Sequence, residues 1–73
     1  MKRDSFPERV GTALRRRREA QEISQEAFAE LVGMHRTYYS AIERGRKNIR
    51  LETLERICTA LHSRMWEVIK EAE

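Results

Sequence analysis

The sequence predicts an all-α domain of five short helices. Apolar residues recur at spacings of three and four along the chain, and no stretch alternates long enough to form a strand. One proline and three glycines in 73 residues leave no segment with the composition of a linker. We therefore expect residues 1–73 to form a single domain, which is too small to hold a large cleft between domains.

Helix one is predicted from Phe6 to Gln21. Ser5 and Glu8 stand three residues apart at its start, which is typical of a capping box, and Pro7 lies in the first turn, where its missing N–H costs nothing. The apolar stripe of this helix consists of Val10, Ala13 and Leu14.

Helix two is predicted from Gln25 to Val32, because the hydroxyl of Ser24 is able to accept an otherwise unpaired amide N–H. Gly33 follows at the point where a helix end favours positive φ. The apolar stripe of helix two consists of Phe28, Leu31 and Val32.

Helix three is predicted from Arg36 to Arg44, with Gly45 at its end. Tyr39 and Ile42 lie on one face and are expected in the core. A second face carries no large hydrophobe and consists of Thr37, Ser40, Ala41 and Arg44.

The last two helices carry most of the remaining apolar residues. Helix four is predicted from Leu51 to Leu61, and its inward residues are Leu51, Leu54, Ile57, Cys58 and Leu61. Ser63 is predicted to cap a short helix five that carries Met65, Trp66, Val68 and Ile69. Trp66 either closes the core or, as we favour, is exposed in a patch that binds a partner.

The net charge of +3 is unevenly distributed. Residues 35–50 include five arginines and lysines but a single acid, Glu43, whereas acids outnumber bases by two from residue 51 to residue 73. A positive segment opposed to an acidic end indicates an oriented contact with a polyanion.

Helices two and three are joined by the short segment Gly33-Met34-His35. This length and glycine placement are typical of a helix-turn-helix, whose second helix enters the major groove of DNA. We therefore expect a central helix-turn-helix at about residues 24–44.

Composition excludes several other classes of protein. No apolar run approaches the roughly 20 residues of a membrane helix, and the charged start predicts no secretory signal. Cys58 is the only cysteine, so no internal disulfide is expected, which fits a reducing cytoplasm. His35 and His62 are not at metal-ligand spacing, and the chain has no Ser–His–acid set or glycine-rich phosphate loop. We therefore expect no enzymatic activity, no cofactor, no metal and no small-molecule ligand.

Two segments of the chain follow a known pattern. They are Ser24-Gln25-Glu26-Ala27-Phe28-Ala29 through Gly33, and Tyr38-Tyr39-Ser40-Ala41-Ile42-Glu43-Arg44-Gly45. Both resemble the helix-turn-helix family of the phage Cro and cI repressors, the XRE group. The flanking residues that fit the same pattern are Leu14, Arg15, Arg18, Leu54, Ile57, Ala60 and Leu61. The resemblance covers about residues 10–69 and implies a five-helix, lambda-repressor-like DNA-binding domain.

Within this family, the segments 34–38 and 44–49 are most similar to the controller proteins of restriction–modification systems, and stand-alone regulators on mobile elements look similar. The resemblance implies a sequence-specific transcriptional regulator in a bacterial or phage context. Its partners would be double-stranded DNA and a second copy of itself, with helix 36–44 in the major groove.

The resemblance also implies roles for individual residues. Gln25 would contact a phosphate. Arg36 and Thr37 would meet base edges, since an arginine fork is able to bond guanine O6 and N7 together, and Tyr38 would lie against the backbone or a base edge. The remaining expected DNA-binding residues are Ser40, Arg46, Lys47 and Asn48, of which the last three lie past the helix and would hold flanking phosphates.

Arg18 and Glu43 match a pair that forms a buried salt bridge in the family, tying helix one to helix three. Arg17 replaces a usually apolar residue, so its stem is expected to cross the edge of the core while its charge reaches water. Glu22 replaces a common glycine, so helix one ends there at a cost or ends differently. His62 and Ser63 replace a common Gly-Val before the last helix, which affects the placement of helix five.

One helix reads only a few base pairs, which favours a two-fold dimer that reads an inverted repeat with half-sites roughly 34 Å apart. Residues 51–73 lie away from the positive segment and are the expected dimerisation end. Its centre is expected at Met65, Trp66 and Ile69.

Two alternative functions from other classes of protein are also compatible with the sequence. One is an antitoxin-like or adaptor module whose protein partner binds an exposed helix face. The other is a non-specific nucleoid-type or RNA-binding protein.

Overall fold

The computed structural model describes residues 4–73, and within that range every regular element is an α-helix. The predicted all-α fold with five helices is confirmed. The helices are α1 (Phe6–Ala20), α2 (Gln25–Leu31), α3 (Arg36–Glu43), α4 (Leu51–Ala60) and α5 (Met65–Ala72). No helix within residues 4–73 has both the length and the apolar character needed to cross a membrane.

Local sequence signals account for most of the helix ends. The Ser5 hydroxyl accepts from the Glu8 amide at 3.2 Å while the Glu8 carboxylate accepts from the Ser5 amide at 2.8 Å, which completes the capping box. Ser24 accepts from the amide of Ala27 at 3.0 Å. The first four helices end one residue earlier than predicted, because the last predicted residue in each is the C-cap.

The prediction that Ser63 caps helix five is wrong. The N-cap is Arg64, whose amide donates to Oε1 of Glu67 at 2.8 Å. Ser63 belongs instead to the end of α4, where its amide donates to the carbonyl of Cys58 at 2.9 Å. His62 has φ 56°, and this left-handed residue closes the turn that carries Ser63 past the end of α4.

The core lies between all five helices. Phe28 and Tyr39 join α2 to α3 with ring centroids 5.1 Å apart. The other large side chains that are almost fully buried are Leu14, Ile42, Ile57, Val68 and Cys58.

Leu31 and Leu51 are exceptions to the predicted apolar stripes, since they are 62% and 76% exposed. The buried face of α2 is set by Phe28, Ala29 and Val32, and Leu31 lies about 100° from its centre on a helical projection. Leu51 lies in the first turn of α4, ahead of the part of that helix that the core covers. The prediction that Leu51 points inward was therefore wrong, and Leu31 lies outside the buried face of α2 although it has the apolar spacing.

Helices α1 and α3 cross at Gly11. A Cβ atom at this position would overlap the backbone carbonyls of Ile42 and Glu43, so the two helices approach backbone to backbone. Glu22 ends α1 with φ 58°, which means that the left-handed conformation commonly filled by glycine is here adopted by glutamate.

Candidate nucleic-acid interface

The turn between α2 and α3 is held by backbone hydrogen bonds. The Gly33 amide donates to the carbonyl of Glu30 at 3.1 Å, and the Met34 amide donates to the carbonyl of Ala29 at 2.8 Å. Gly33 has φ 73°, a conformation that glycine adopts without the cost of a Cβ. Directly after this turn, α3 begins at Arg36.

The start of α3 presents its side chains to solvent. Arg36, Thr37 and Tyr38 are exposed, and Ser40 is half-buried one turn further along. A shallow depression of about 150 Å³ is lined by Arg36, Thr37, Ser40 and Arg44. Ala41, which the sequence places on the same polar face, is buried.

His35 is the N-cap of this helix. Its backbone is extended, with φ −65° and ψ 140°, and its ring nitrogen Nδ1 accepts from the Thr37 amide at 3.1 Å. The ring therefore satisfies one of the amide groups that the first turn of a helix leaves unpaired.

A buried ion pair lies behind the exposed face. Arg18 donates from Nε to Glu43 Oε2 at 2.7 Å and from Nη2 to Glu43 Oε1 at 3.1 Å, and both side chains are almost fully buried. Burial acts to raise the pKa of Glu43, but hydrogen bonds from Arg18 and Gln25 outweigh it and lower that pKa. The hydrogen bond with Glu43 raises the pKa of Arg18 despite its burial. The pair therefore stays ionised.

The Tyr39 hydroxyl is buried beside the Glu43 carboxylate but makes no hydrogen bond of good geometry. Burial raises the pKa of this phenol, so it remains neutral.

Gln25 is held by the same carboxylate. Its side-chain amide nitrogen donates to Glu43 Oε1 at 3.0 Å, which occupies one of its two N–H groups and leaves the second N–H and the carbonyl oxygen. The side chain is half-buried and lines a polar cleft of about 340 Å³ with Arg15, Ser40 and Arg44.

Arg44 lines both this cleft and the depression at the start of α3, although it is not among the DNA-binding residues expected from the sequence. The signal was present, because Arg44 lies seven residues after Thr37 and four after Ser40 on the same helix face. Arg15 lines the cleft from α1 and pairs with Glu19 at 3.1 Å on the exposed surface.

Arg46, Lys47 and Asn48 follow α3 and are all exposed. Gly45 turns the chain with φ 72°, and the Arg46 amide donates to the carbonyl of Ala41 at 2.8 Å. Lys47 and Asn48 do not line the clefts at α3. They border an apolar groove whose other walls are Phe6, Pro7, Val10, Ile49, Leu51, Leu54 and Ile69.

The second exposed feature is apolar. Trp66 is 63% exposed, whereas Met65 and Ile69 are half-buried. Ile69 lies in the wall of the groove shared by Phe6 and Leu51, which are also exposed. These five residues, Phe6, Leu51, Met65, Trp66 and Ile69, are called the apolar surface below.

Helix α5 is attached to α1 by polar contacts. Arg17 donates to Glu71 at 3.0 Å and to the Ser63 hydroxyl at 3.0 Å, so its stem crosses the edge of the core and its charge lies at the surface. Arg9 donates to the carbonyl of Ala72 at 2.6 Å.

The described residues offer little reactive chemistry. No group of three or more His, Cys, Asp or Glu side chains within residues 4–73 is placed to hold a metal ion. Cys58 is buried on α4, and burial raises the pKa of its thiol, which disfavours the reactive thiolate.

Comparison with known proteins gives a consistent result. The family model described as Helix-turn-helix (HTH_3) matches residues 14–65. Control protein C.MunI from a Mycoplasma species is 39% identical over 66 residues, which are 89% of this chain and 89% of that protein.

Two solved structures are close in fold. The clp gene regulator ClgR from C. glutamicum has a TM-score of 0.92 and 32% identity, with 97% of this chain and 91% of that chain covered. The restriction–modification controller protein C.Esp1396I, solved as a tetramer with its natural 35-base-pair operator, has a TM-score of 0.81 and 28% identity, with 96% and 97% covered. The resemblance expected from the sequence is confirmed by these matches.

Proposed function

This chain belongs to the helix-turn-helix family, and we propose that it is a sequence-specific DNA-binding transcriptional regulator that reads an inverted-repeat operator as a homodimer. The observation that carries the proposal is the charge of the surface around α3. Glu43 is the only acid between residues 35 and 50, and it is buried and neutralised by Arg18. Every exposed charge on this segment is therefore positive, as contact with a polyanion requires.

In this proposal, the residues at the start of α3 contact the base edges. Arg36 is exposed, and its fork matches the O6 and N7 acceptors of guanine in the major groove. Thr37 lies beside it with a methyl group that suits a thymine methyl and a hydroxyl that suits a polar base edge. Tyr38 lies at the side of the helix, where it contacts the backbone or a base edge.

In this proposal, phosphates are bound by residues that line the depression at the start of α3 and the polar cleft beside Gln25, and by the segment after α3. Gln25 keeps one free N–H for a phosphate oxygen, and Arg44 is added to the residues expected from the sequence because it lines both clefts. The remaining phosphate-binding residues in the proposal are Ser40, Arg46, Lys47 and Asn48. Such contacts position the protein without specifying sequence.

Two copies joined by a two-fold axis place two α3 helices on successive turns of the duplex, roughly 34 Å apart. The apolar surface is the proposed interface, because exposed aromatic and aliphatic side chains are typical of a surface that binds a protein. Ile69 adjoins Phe6 and Leu51 in one groove, and Met65 and Trp66 precede it on the same helix. The prediction centred on Met65, Trp66 and Ile69 is thereby extended to Phe6 and Leu51.

The biological context proposed is control of a restriction–modification operon, including the regulator's own gene, since C.MunI and C.Esp1396I are control proteins by name. The bound dimer blocks polymerase or, at a suitable distance, recruits it. This role assigns the chain no catalytic reaction and places it with the DNA in a bacterial cytoplasm.

The experiment that tests the proposal is selection of bound duplexes from a random pool, repeated at two salt concentrations. We expect an enriched inverted repeat. Arg36→Ala should cost about 1–3 kcal/mol of binding free energy per half-site and relax the preference at one base position. Lys47→Ala should weaken all duplexes alike and reduce the salt dependence.

Arg56→Ala is the matched control, because Arg56 is an exposed arginine on α4 that lines neither polar cleft. It should leave base preference unchanged. Equal retention of random and selected duplexes would favour the non-specific binder. An adaptor or antitoxin would show no effect of Arg36→Ala and would purify with a second protein.

A further inference from the structure

The ring of His35 is oriented at the start of α3 by one hydrogen bond. The N–H group of the backbone can only donate, so the hydrogen bond from the Thr37 N–H at 3.1 Å requires a lone pair on Nδ1 of His35. In a neutral imidazole the proton must then be on Nε2. The cap of α3 therefore selects one tautomer and presents an N–H donor at the opposite corner of the ring.

This donor is unused within residues 4–73, where Nε2 of His35 meets no acceptor. The side chain is exposed, and it lies between the turn of the helix-turn-helix and Arg36. The surrounding segment has no exposed acid, because Glu43 is buried against Arg18. The chemistry that suits a fixed donor on a positive surface is a negatively charged oxygen.

We propose that His35 is a further DNA-binding residue, whose Nε2–H donates to a phosphate oxygen at the wall of the major groove beside Arg36. The assignment rests on the proposed function, since it places α3 along the duplex. The imidazole is shorter than the Arg36 side chain and is held back against the Thr37 amide, so it reaches the wall of the groove and not the base edges. Because the ring is already oriented, its ordering costs little on binding.

The test replaces His35 by Nε2-methylhistidine in a chemically synthesised chain. Methylation removes the donor but keeps the Nδ1 lone pair that accepts from Thr37. His35→Ser is a second variant, because serine caps a helix well yet is too short to reach a phosphate and adds no bulk. Binding to the selected operator and to an unrelated duplex is measured at a mildly alkaline pH.

We expect both variants to bind both duplexes about tenfold more weakly per half-site, with an unchanged order of base preference and an unchanged melting temperature. The matched control is His62→Nε2-methylhistidine, which modifies an exposed histidine in the turn between α4 and α5 and should bind like the unmodified chain.

Unaltered affinity of the His35 variants would overturn the assignment, and so would a changed preference at a single base position, which would indicate a base contact. The Arg36→Ala variant distinguishes failure of the His35 assignment from failure of the proposed function. If Arg36→Ala relaxes specificity while the His35 variants bind normally, only the His35 assignment fails. If the unmodified chain selects no duplex, the proposed function itself fails.

Discussion

Arg18 and Glu43 form a buried two-point ion pair, with Nε to Oε2 at 2.7 Å and Nη2 to Oε1 at 3.1 Å. Arg18 also donates to the carbonyl of Ile23 at 2.7 Å, and Glu43 accepts from Gln25 at 3.0 Å. One cluster therefore connects α1, the segment before α2, the first residue of α2 and the end of α3. It fixes the orientation of the proposed reading helix from behind.

Glu43→Gln tests the energetic weight of this pair. The substitution leaves the Arg18 charge buried without a countercharge, so we expect the free energy of unfolding to fall by about 3–5 kcal/mol in urea denaturation. Glu19→Gln is the control, because it breaks the exposed pair with Arg15 and should change stability by less than about 1 kcal/mol. Equal effects of the two substitutions would show that burial adds nothing to the pair.

Acid should weaken the fold through the same carboxylate. The pKa of Glu43 is lower in the folded protein than its ordinary value of 4.5, so the unfolded chain takes up the proton first as the pH falls. The stability that the carboxylate contributes is fully present above 4.5 and is lost as the pH falls through the folded pKa. Urea midpoints measured from neutral to acidic pH should decline more steeply below this value in the natural chain than in Glu43→Gln, and parallel curves would contradict the prediction.

Gly11→Ala should separate α1 from α3. The new methyl group meets the backbone carbonyls of Ile42 and Glu43, which are unable to move without shifting a helix, and the expected loss is about 1–3 kcal/mol of unfolding free energy despite the better helix propensity of alanine. Gly33→Ala provides the comparison, because its methyl group meets no atom and only the positive φ of 73° is strained. Because the added methyl group displaces α3, the helix proposed to contact the bases, Gly11→Ala should also weaken operator binding.

Trp66→Ala should dissociate the proposed dimer without unfolding the protomer. Trp66 is 63% exposed, so its loss leaves the core intact, while truncation of an aromatic residue at the centre of an interface costs about 2 kcal/mol or more of association free energy. Sedimentation over a range of concentrations measures the change, and circular dichroism checks the helices. Leu31→Ala is the matched control, since Leu31 is 62% exposed on α2, outside the apolar surface. Equal association of the two variants would exclude Trp66 from the interface.

Four predictions that rest on neighbouring residues agree with the structure. Ser5, Ser24, Gly33 and Gly45 each act within one turn of the chain, through a hydroxyl that caps an amide or a glycine that adopts positive φ. Such signals need no knowledge of the remaining fold. The starts of α1 to α4 and the all-α class were therefore predictable.

The errors concern residues whose environment depends on distant elements. Leu31 and Leu51 have apolar spacing, but no other helix covers them. Ser63 has the right chemistry for an N-cap, but the left-handed turn at His62 assigns it to the end of α4, where it also accepts from Arg17. Residue type and spacing do not specify which other helix packs against a given face of a helix.

The amino-acid sequence by itself determined where the first four helices begin, how the charge is divided and which residue types lie at the start of α3, because these depend on local hydrogen bonding and composition. Only the tertiary structure decided that Arg44 shares a cleft with Gln25 and that Phe6 and Leu51 adjoin Ile69. The physical reason is that each of these contacts joins residues far apart in the chain. The close crossing of α1 and α3 at Gly11 brings together two of the helices that carry these residues.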